Sequence, residues 1–256
     1  MKIHPTAIVS KKAKLADDCF VGPYTIIDDS VVIHSATKIA DHCIIRGNTT
    51  IGKRCQIFSG AVIGSPPQDL KYKGEKTSLL IGDDNIIREY VTINLGTTST
   101  GKTVIGNNNL LMAYSHVAHD CRVGNHCVIA NNGTLAGHVN IEDKSIIGGL
   151  AAIHQFVKVG TLSIVGGCSK VVQDIPPYST CDGHPAKVFG LNLVGLRRAD
   201  FSKEVISALK NAFKLLFFSK LSIRHALEKI EKEISKCKEV SHLIKFVKTS
   251  ERGITR

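Results

Sequence analysis

The segment His116-Val117-Ala118-His119-Asp120 puts two imidazoles and a carboxylate in one short run. His138, preceded by Gly137, and then His154, followed by Gln155, come after it at two similar intervals. A general base working near neutral pH needs a side chain with an ordinary pKa of about 6.5, together with a carboxylate to orient it and stabilise its charge after protonation. His119 and Asp120 offer that pair. One histidine alone is more often a filler of a turn, so the cluster carries the signal. Three imidazoles at these intervals also resemble a metal-ligand set, and the residues by themselves leave proton transfer and zinc binding both open.

The elements that must hold these side chains are read from a six-residue period. Every sixth residue from Ile3 to Ile63 is aliphatic, and the same phase returns at Ile81, Ile87 and Ile93 and again from Ile105 to Val171. Four residues after each aliphatic position the side chain is usually small, as at Ala7, Cys19, Thr25, Cys43, Ala61, Cys121 and Ser145. Neither helix nor plain strand has this period. A hexapeptide repeat is a short strand plus a turn, stacked three to a coil of about 18 residues around an aliphatic interior. Gly22, Gly52, Gly106, Asn107, Gly124, Asn125 and Gly148 are expected to supply backbone freedom at the corners. Two stretches, near 64–80 and 94–104, interrupt the period in multiples of six and must leave the wall as loops. Loops on a regular scaffold are where chemistry tends to sit.

The repeat ends near Pro176-Pro177, and after Arg198 the pattern becomes helical, with amphipathic stripes over 202–218 and 222–236. Asp200 or Ser202 is the expected cap of the first helix and Ser222 of the second. A helical end would cover the open strands of the solenoid.

Residues 191–256 carry 15 Lys and Arg against 7 Asp and Glu, so an acidic or phosphorylated partner is expected there. The chain has no Trp, and its few aromatics are not interleaved with basic residues, which argues against a nucleic-acid surface. Five of the eight cysteines occupy the small-residue phase of the repeat, as reduced packing thiols would, and no Cys-x-x-Cys pair is present. No stretch reaches the length of a membrane span, and Met1 to Pro5 has no charged-then-apolar signal pattern, so a cytoplasmic protein without stable membrane insertion is expected.

The run from Leu111 to Cys121, the inserted Pro66-Pro67-Gln68-Asp69-Leu70-Lys71-Tyr72-Lys73-Gly74-Glu75, Ile153-His154-Gln155-Phe156 and Gly166-Gly167-Cys168-Ser169 together resemble the acyl-[acyl-carrier-protein]:UDP-N-acetylglucosamine O-acyltransferases of lipid A biosynthesis, over nearly the whole chain. The resemblance implies a left-handed parallel β-helix over 1–190 and a small α-helical C-terminal domain over 191–256. It also implies a homotrimer with active sites between neighbouring coils, and an O-acyl transfer from acyl carrier protein to UDP-N-acetylglucosamine with no cofactor and no metal. On that resemblance His119 is the general base and Asp120 its orienting partner, while the Gly137 N–H receives the oxyanion. His138 and His116 support the sugar and thioester, and His154 and Gln155 belong to the substrate-binding set. Gln68, Asp69 and Lys71 contact the saccharide or the acyl chain, Gly167 leaves room for the acyl tail, and Asn192 and Arg198 reach the diphosphate. Val194 and Ala199 depart from the pattern, which has an acidic residue and often a second Arg at those positions. An N-acyltransferase of the same fold would carry a preceding uridine-binding domain, for which a repeat starting at Ile3 leaves no room.

Overall fold

Each hexapeptide contributes a two-residue strand, whose first side chain points outward and second inward, and a four-residue corner. Strands at corresponding positions of successive coils pair in parallel, as Val128–Ile129 does with Ile146–Ile147 and that strand with Ile164–Val165. The result is a left-handed parallel β-helix with three faces: face A, starting at Lys2–Ile3, has 11 strands, face B, starting at Ile8–Val9, has 9, and face C, starting at Lys14–Leu15, has 8. The computed structural model describes residues 2–235 and 237–256. Met1 and Lys236, the last residue of the second expected amphipathic stripe, lie outside them.

The inward column is buried from Val21 to Val171, whereas Ile3 is exposed and Val9 and Leu15 are half-buried. The first coil has nothing stacked on its outer side, so its aliphatic residues see solvent. Each fully buried Ile or Val contributes about 1.5–3 kcal/mol relative to exposure, so the column dominates the cohesion of the coil. Cys19, Cys43, Cys55, Cys121 and Cys127 are buried free thiols at the corners, and burial pushes the thiols of Cys43 and Cys127 up to about 11 and that of Cys121 up to about 12.

The corner glycines act differently from expectation. Left-handed backbone occurs at non-glycine residues, including Tyr24, Arg54, Asn108, Asp120 and His138. A Cβ on Gly52 would instead lie 2.4 Å from the Gly82 carbonyl oxygen, and one on Gly106 2.5 Å from that of Gly124. These glycines are needed for clearance between stacked coils. Asn107 and Asn125 form a side-chain ladder, in which the Asn107 N–H donates to Asn125 Oδ1 and the Asn125 N–H to Asp143 Oδ1.

Both insertions are extra chain at one corner. Val62 pairs with Thr92 and Thr92 with His116, so these two coils are longer than the regular one, in which Val128 pairs with Ile146. The excesses are whole hexapeptides, so the inward phase survives. The loops are tighter than the sequence suggests, running over 66–77 and 95–101 between the strands Val62–Ser65 and Ser78–Ile81, and Thr92–Asn94 and Lys102–Ile105.

The coil closes with an antiparallel hairpin, Ser179–Gly183 with Ala186–Leu191, followed by four helices among the described residues. They are α1 (Leu193–Arg198), α2 (Lys203–Phe217), α3 (Ile223–Glu233) and α4 (Lys238–Lys248). Ser202, not Asp200, caps α2, and Ser222 caps α3, each through its side-chain oxygen. His242 of α4 reaches back to the coil, with Nε2 3.0 Å from Glu142 Oε2 and Nδ1 3.2 Å from the Tyr178 hydroxyl. The C-terminal residues return to the last turn, where Ile254 bridges to Asp174 and the Arg252 Nε–H donates to the Val172 carbonyl.

Candidate active site

Three successive turns pass the corner between faces B and C as Ala118-His119-Asp120-Cys121, Ala136-Gly137-His138-Val139 and His154-Gln155-Phe156-Val157. Equivalent positions stack. His119 lies over Gly137 and then Gln155, and Asp120 over His138 and then Phe156. The His138 N–H donates to the His119 carbonyl and the Phe156 N–H to that of Gly137. Both inserted loops leave the wall at this same corner on the two preceding turns. One edge of the prism therefore gathers the histidine cluster and both irregular segments.

Asp120 is in the left-handed region, with φ 60°, and its backbone N–H donates to Thr103 Oγ1 at 2.9 Å. Its carboxylate is fully buried and accepts from the Thr97 N–H at 3.0 Å, the Thr97 hydroxyl at 2.7 Å, the Thr100 hydroxyl, and His119 Nδ1 at 2.8 Å. Burial alone would raise its pKa, but these donors outweigh burial and hold it at about 2. An ionised carboxylate can only accept, so the hydrogen of neutral His119 is on Nδ1 and Nε2 carries the free lone pair. The His119 ring lies outside the coil interior with its side chain 12% exposed, and a Cβ on Gly137 would be 2.6 Å from Nε2. The glycine makes room for the ring.

His138 meets His119 edge-on, with ring centroids 5.2 Å apart, and stacks on Phe156 at 4.5 Å. Burial lowers the pKa of His138, opposed by Asp120 and Asp69. His116, on the outer side of face B, pairs through Nδ1 with the Thr92 hydroxyl at 2.7 Å, and burial followed by the nearby His119 lowers its pKa as well. Both rings are therefore neutral polar groups at neutral pH. A cavity of about 310 Å³ beside His138 is lined by Asp69, Lys71, Tyr72, Glu75 and Thr97 to Ser99. The first inserted loop thus roofs His138.

His119, Asp120 and His138 each present a potential ligand atom within 4.8 Å of the others. That donor set fits a metal poorly. Both carboxylate oxygens already accept from threonine donors and His119 Nδ1 is bound to one of them, which leaves two imidazole nitrogens rather than the three or four ligands of a zinc site.

The remaining expected residues are dispersed. Gln68 is exposed on the first loop, and His154 is exposed with Nδ1 3.2 Å from the Gln155 carbonyl. Gly167 is at the corner between faces A and B, where a Cβ would meet only the Gly149 backbone. The Asn192 side chain is buried, caps α1 by accepting from the Gly195 N–H, and donates to the Leu162 carbonyl. Arg198 ends α1, exposed and without an ion pair among the described residues. Val194 is exposed in the first turn of α1, which has no acidic residue, and Ala199 is its C-cap. Gly167 at the A–B corner and Asn192 beside Leu162 at the C–A corner are on other edges of the coil than His119. Thr97 and Thr100 escape a reading of the sequence, because threonines in a non-repeating loop give no periodic signal, and Thr103 is in the strand that follows, Lys102–Ile105. Phe156 stands in a recognisable motif, but only the stacking of turns shows its contact with His138.

A hexapeptide coil presenting an aspartate-held imidazole at its corner has the architecture of a hexapeptide-repeat transferase. The family described as bacterial transferase hexapeptide (six repeats) matches residues 102–137, and the second domain of UDP-N-acetylglucosamine O-acyltransferase matches 174–255. An acyl-[acyl-carrier-protein]–UDP-N-acetylglucosamine O-acyltransferase of Thermodesulfovibrio yellowstonii is 49% identical over 256 residues, covering 100% of this chain and 99% of its own. One from Thiobacillus denitrificans is 49% identical over 255 residues, covering 99% of each. The crystal structure of LpxA, a UDP-N-acetylglucosamine acyltransferase from Bacteroides fragilis, superposes with a TM-score of 0.98 at 42% identity over 99% of this chain and 100% of that one. LpxA from Acinetobacter baumannii gives 0.97 at 45% over 99% of each. This chain belongs to the family of acyl-[acyl-carrier-protein]–UDP-N-acetylglucosamine O-acyltransferases.

Proposed function

We propose that this chain transfers a 3-hydroxyacyl group from the thioester of acyl carrier protein to the glucosamine 3-hydroxyl of UDP-N-acetylglucosamine, the first step of lipid A biosynthesis. The observation that carries the mechanism is the His119 ring, with Nδ1 held by a carboxylate of pKa about 2 and Nε2 free over Gly137. Nε2 takes the hydroxyl proton as the oxygen attacks the thioester carbonyl carbon, and Asp120 stabilises the imidazolium that forms. The Gly137 N–H, which has no hydrogen-bond partner among the described residues, faces the developing oxyanion. Collapse of the tetrahedral adduct breaks the carbon–sulfur bond, and the imidazolium returns the proton to the departing thiolate. His138 and His116, neutral by burial, orient sugar and thioester without adding charge. Asp69 and Lys71 of the roofing loop, with Gln68, His154 and Gln155, complete the acceptor side.

The assembly we propose is a homotrimer. Ile8, Ile26, Ile44 and Val62 point outward from face B, and Ile86, Leu110, Val128, Ile146 and Ile164 from face A. Two different aliphatic strips on one chain suit a heterologous contact that closes into a ring. Neighbouring copies would then bring Gly167, Asn192 and Arg198 toward a His119 corner that one chain leaves without them. Exposed Lys203, Lys210 and Lys214 of α2 form no ion pair among the described residues and would steer the acidic carrier protein. No helix among the described residues is long and apolar enough to cross a membrane. We place the reaction in the cytoplasm. Incubating purified protein with 3-hydroxyacyl carrier protein and UDP-N-acetylglucosamine tests the proposal. Mass spectrometry should detect an O-acylated sugar nucleotide, and an unmodified nucleotide after prolonged incubation would refute it.

A further inference from the structure

We infer that Thr97, assisted by Thr100, is a positioning residue that fixes the tautomer and orientation of His119 through Asp120; this rests on the reading of His119 as the general base. Both threonines are on the second inserted loop, which leaves the wall at this corner one turn before Asp120 and reaches its carboxylate. Thr97 contributes two bonds, its N–H to Asp120 Oδ1 and its hydroxyl to Oδ2, the oxygen that also accepts from His119 Nδ1. The Thr97 oxygen in turn accepts from the Ser99 N–H at 3.2 Å, so its own hydrogen is committed to the carboxylate. Thr100 donates to Asp120 Oδ1, the oxygen that His119 does not use, with the Lys102 carbonyl at 3.0 Å as a second acceptor, and so acts on the imidazole less directly than the Thr97 hydroxyl on Oδ2.

The clamp matters because a carboxylate pivots about its Cβ–Cγ bond, and a swing would carry the imidazole with it. Donors on both oxygens stop the swing. They also keep the carboxylate ionised, which forces the hydrogen of His119 onto Nδ1 and the lone pair onto Nε2. A third threonine, Thr103, anchors the Asp120 backbone N–H, so the loop and the strand after it grip the aspartate at both ends. Thr97 is buried while Thr98 and Ser99 beside it are exposed, and Gly101 closes the turn by donating its N–H to the Thr97 carbonyl at 2.8 Å.

The test uses the full chain with Thr97→Val, Thr97→Ser, Thr100→Val and the Thr97→Val/Thr100→Val double variant. It reads kcat and KM for UDP-N-acetylglucosamine together with the nitrogen-15 NMR tautomer signature of the His119 ring in the resting protein. A hydrogen bond to a charged group corresponds to roughly ten- to hundredfold, so Thr97→Val should lower kcat by that factor with KM unchanged. Thr97→Ser, which keeps the hydroxyl, should recover kcat, and Thr100→Val should cost less than Thr97→Val. The resting wild-type ring should show only the Nδ1–H form, and the double variant a mixture of both tautomers. An unmixed tautomer in the double variant overturns the inference, as does Thr97→Ser being no faster than Thr97→Val. If the wild type transfers no acyl group at all, the assignment of function fails while the tautomer measurement still decides the positioning role.

Discussion

Replacing Gly137 with alanine tests the pose of the His119 ring without removing any catalytic atom. The added methyl would lie 2.5 Å from Cε1 and 2.6 Å from Nε2, where ordinary contact begins at 3.4 Å. Because the ring is tied to Asp120 at 2.8 Å, it must shift by about 0.9 Å, and a misplacement of about 1 Å costs on the order of 10²-fold in rate. The Gly137 N–H survives the change, so the oxyanion contact is retained. Steady-state turnover with saturating carrier protein and sugar nucleotide should therefore fall on the order of 10²-fold with little change in KM. Loosening of the His119 bond to the charged Asp120 should lower stability by about 1.5–3 kcal/mol in denaturant unfolding. Wild-type kcat in Gly137→Ala would show that the ring works from some other position and would refute the reasoning.

The folded-state pKa of Asp120, about 2, lies below its ordinary 3.8, so its contribution to stability, about 2 kcal/mol, is complete above the ordinary value and drains as pH falls toward 2. Denaturant unfolding of wild type and Asp120→Asn should show a gap that holds from pH 7 to 5 and narrows below about 4; a gap independent of pH would contradict the ionised, clamped carboxylate. Thiol labelling of the native protein should modify exposed Cys168 first and partly exposed Cys237 more slowly, leaving Cys43, Cys121 and Cys127 untouched until unfolding, as their burial and raised pKa values require. Rapid labelling of Cys121 in the native state would mean that the coil opens locally at the His119 corner. Val128→Glu places a charge in the outward strip of face A and should convert a particle of three 27.7 kDa chains to single chains in sedimentation. An intact trimer would exclude that strip from the interface.

The period of six makes the coil legible because one inward side chain per hexapeptide is enforced by the stacking of turns. It survives both insertions because each adds whole hexapeptides at a corner. It also brings His119, Gly137 and Gln155 to one edge, each a single turn of the coil from the next. What the period cannot show is the reason for each corner residue. Gly52 and Gly106 look like sources of backbone freedom, yet the left-handed positions fall elsewhere and these glycines make room for the coil beside them. Thr97 and Thr100 are invisible for a related reason, since the geometry of a short loop is fixed by its contacts and not by any repeat. Among the helices, α2 and α3 announce themselves by serine caps and long apolar stripes. The six-residue α1 is too short for a stripe, and α4 has Cys237 at its N-cap position without a side-chain cap bond, although Val240, Leu243, Phe246 and Val247 form its buried face. Asn192 illustrates the limit of a residue-by-residue resemblance. The structure commits its amide to a helix cap and the Leu162 carbonyl, so any reach toward a diphosphate must work around both bonds.

The most direct test of a base at position 119 is the single-turnover rate of His119→Ala on a preformed complex with UDP-N-acetylglucosamine, with sugar-nucleotide binding followed in parallel by titration calorimetry. Loss of the base should slow acyl transfer by roughly 10²–10⁴-fold while binding is retained. Transfer at the wild-type rate by a protein lacking this imidazole would contradict the account at its centre.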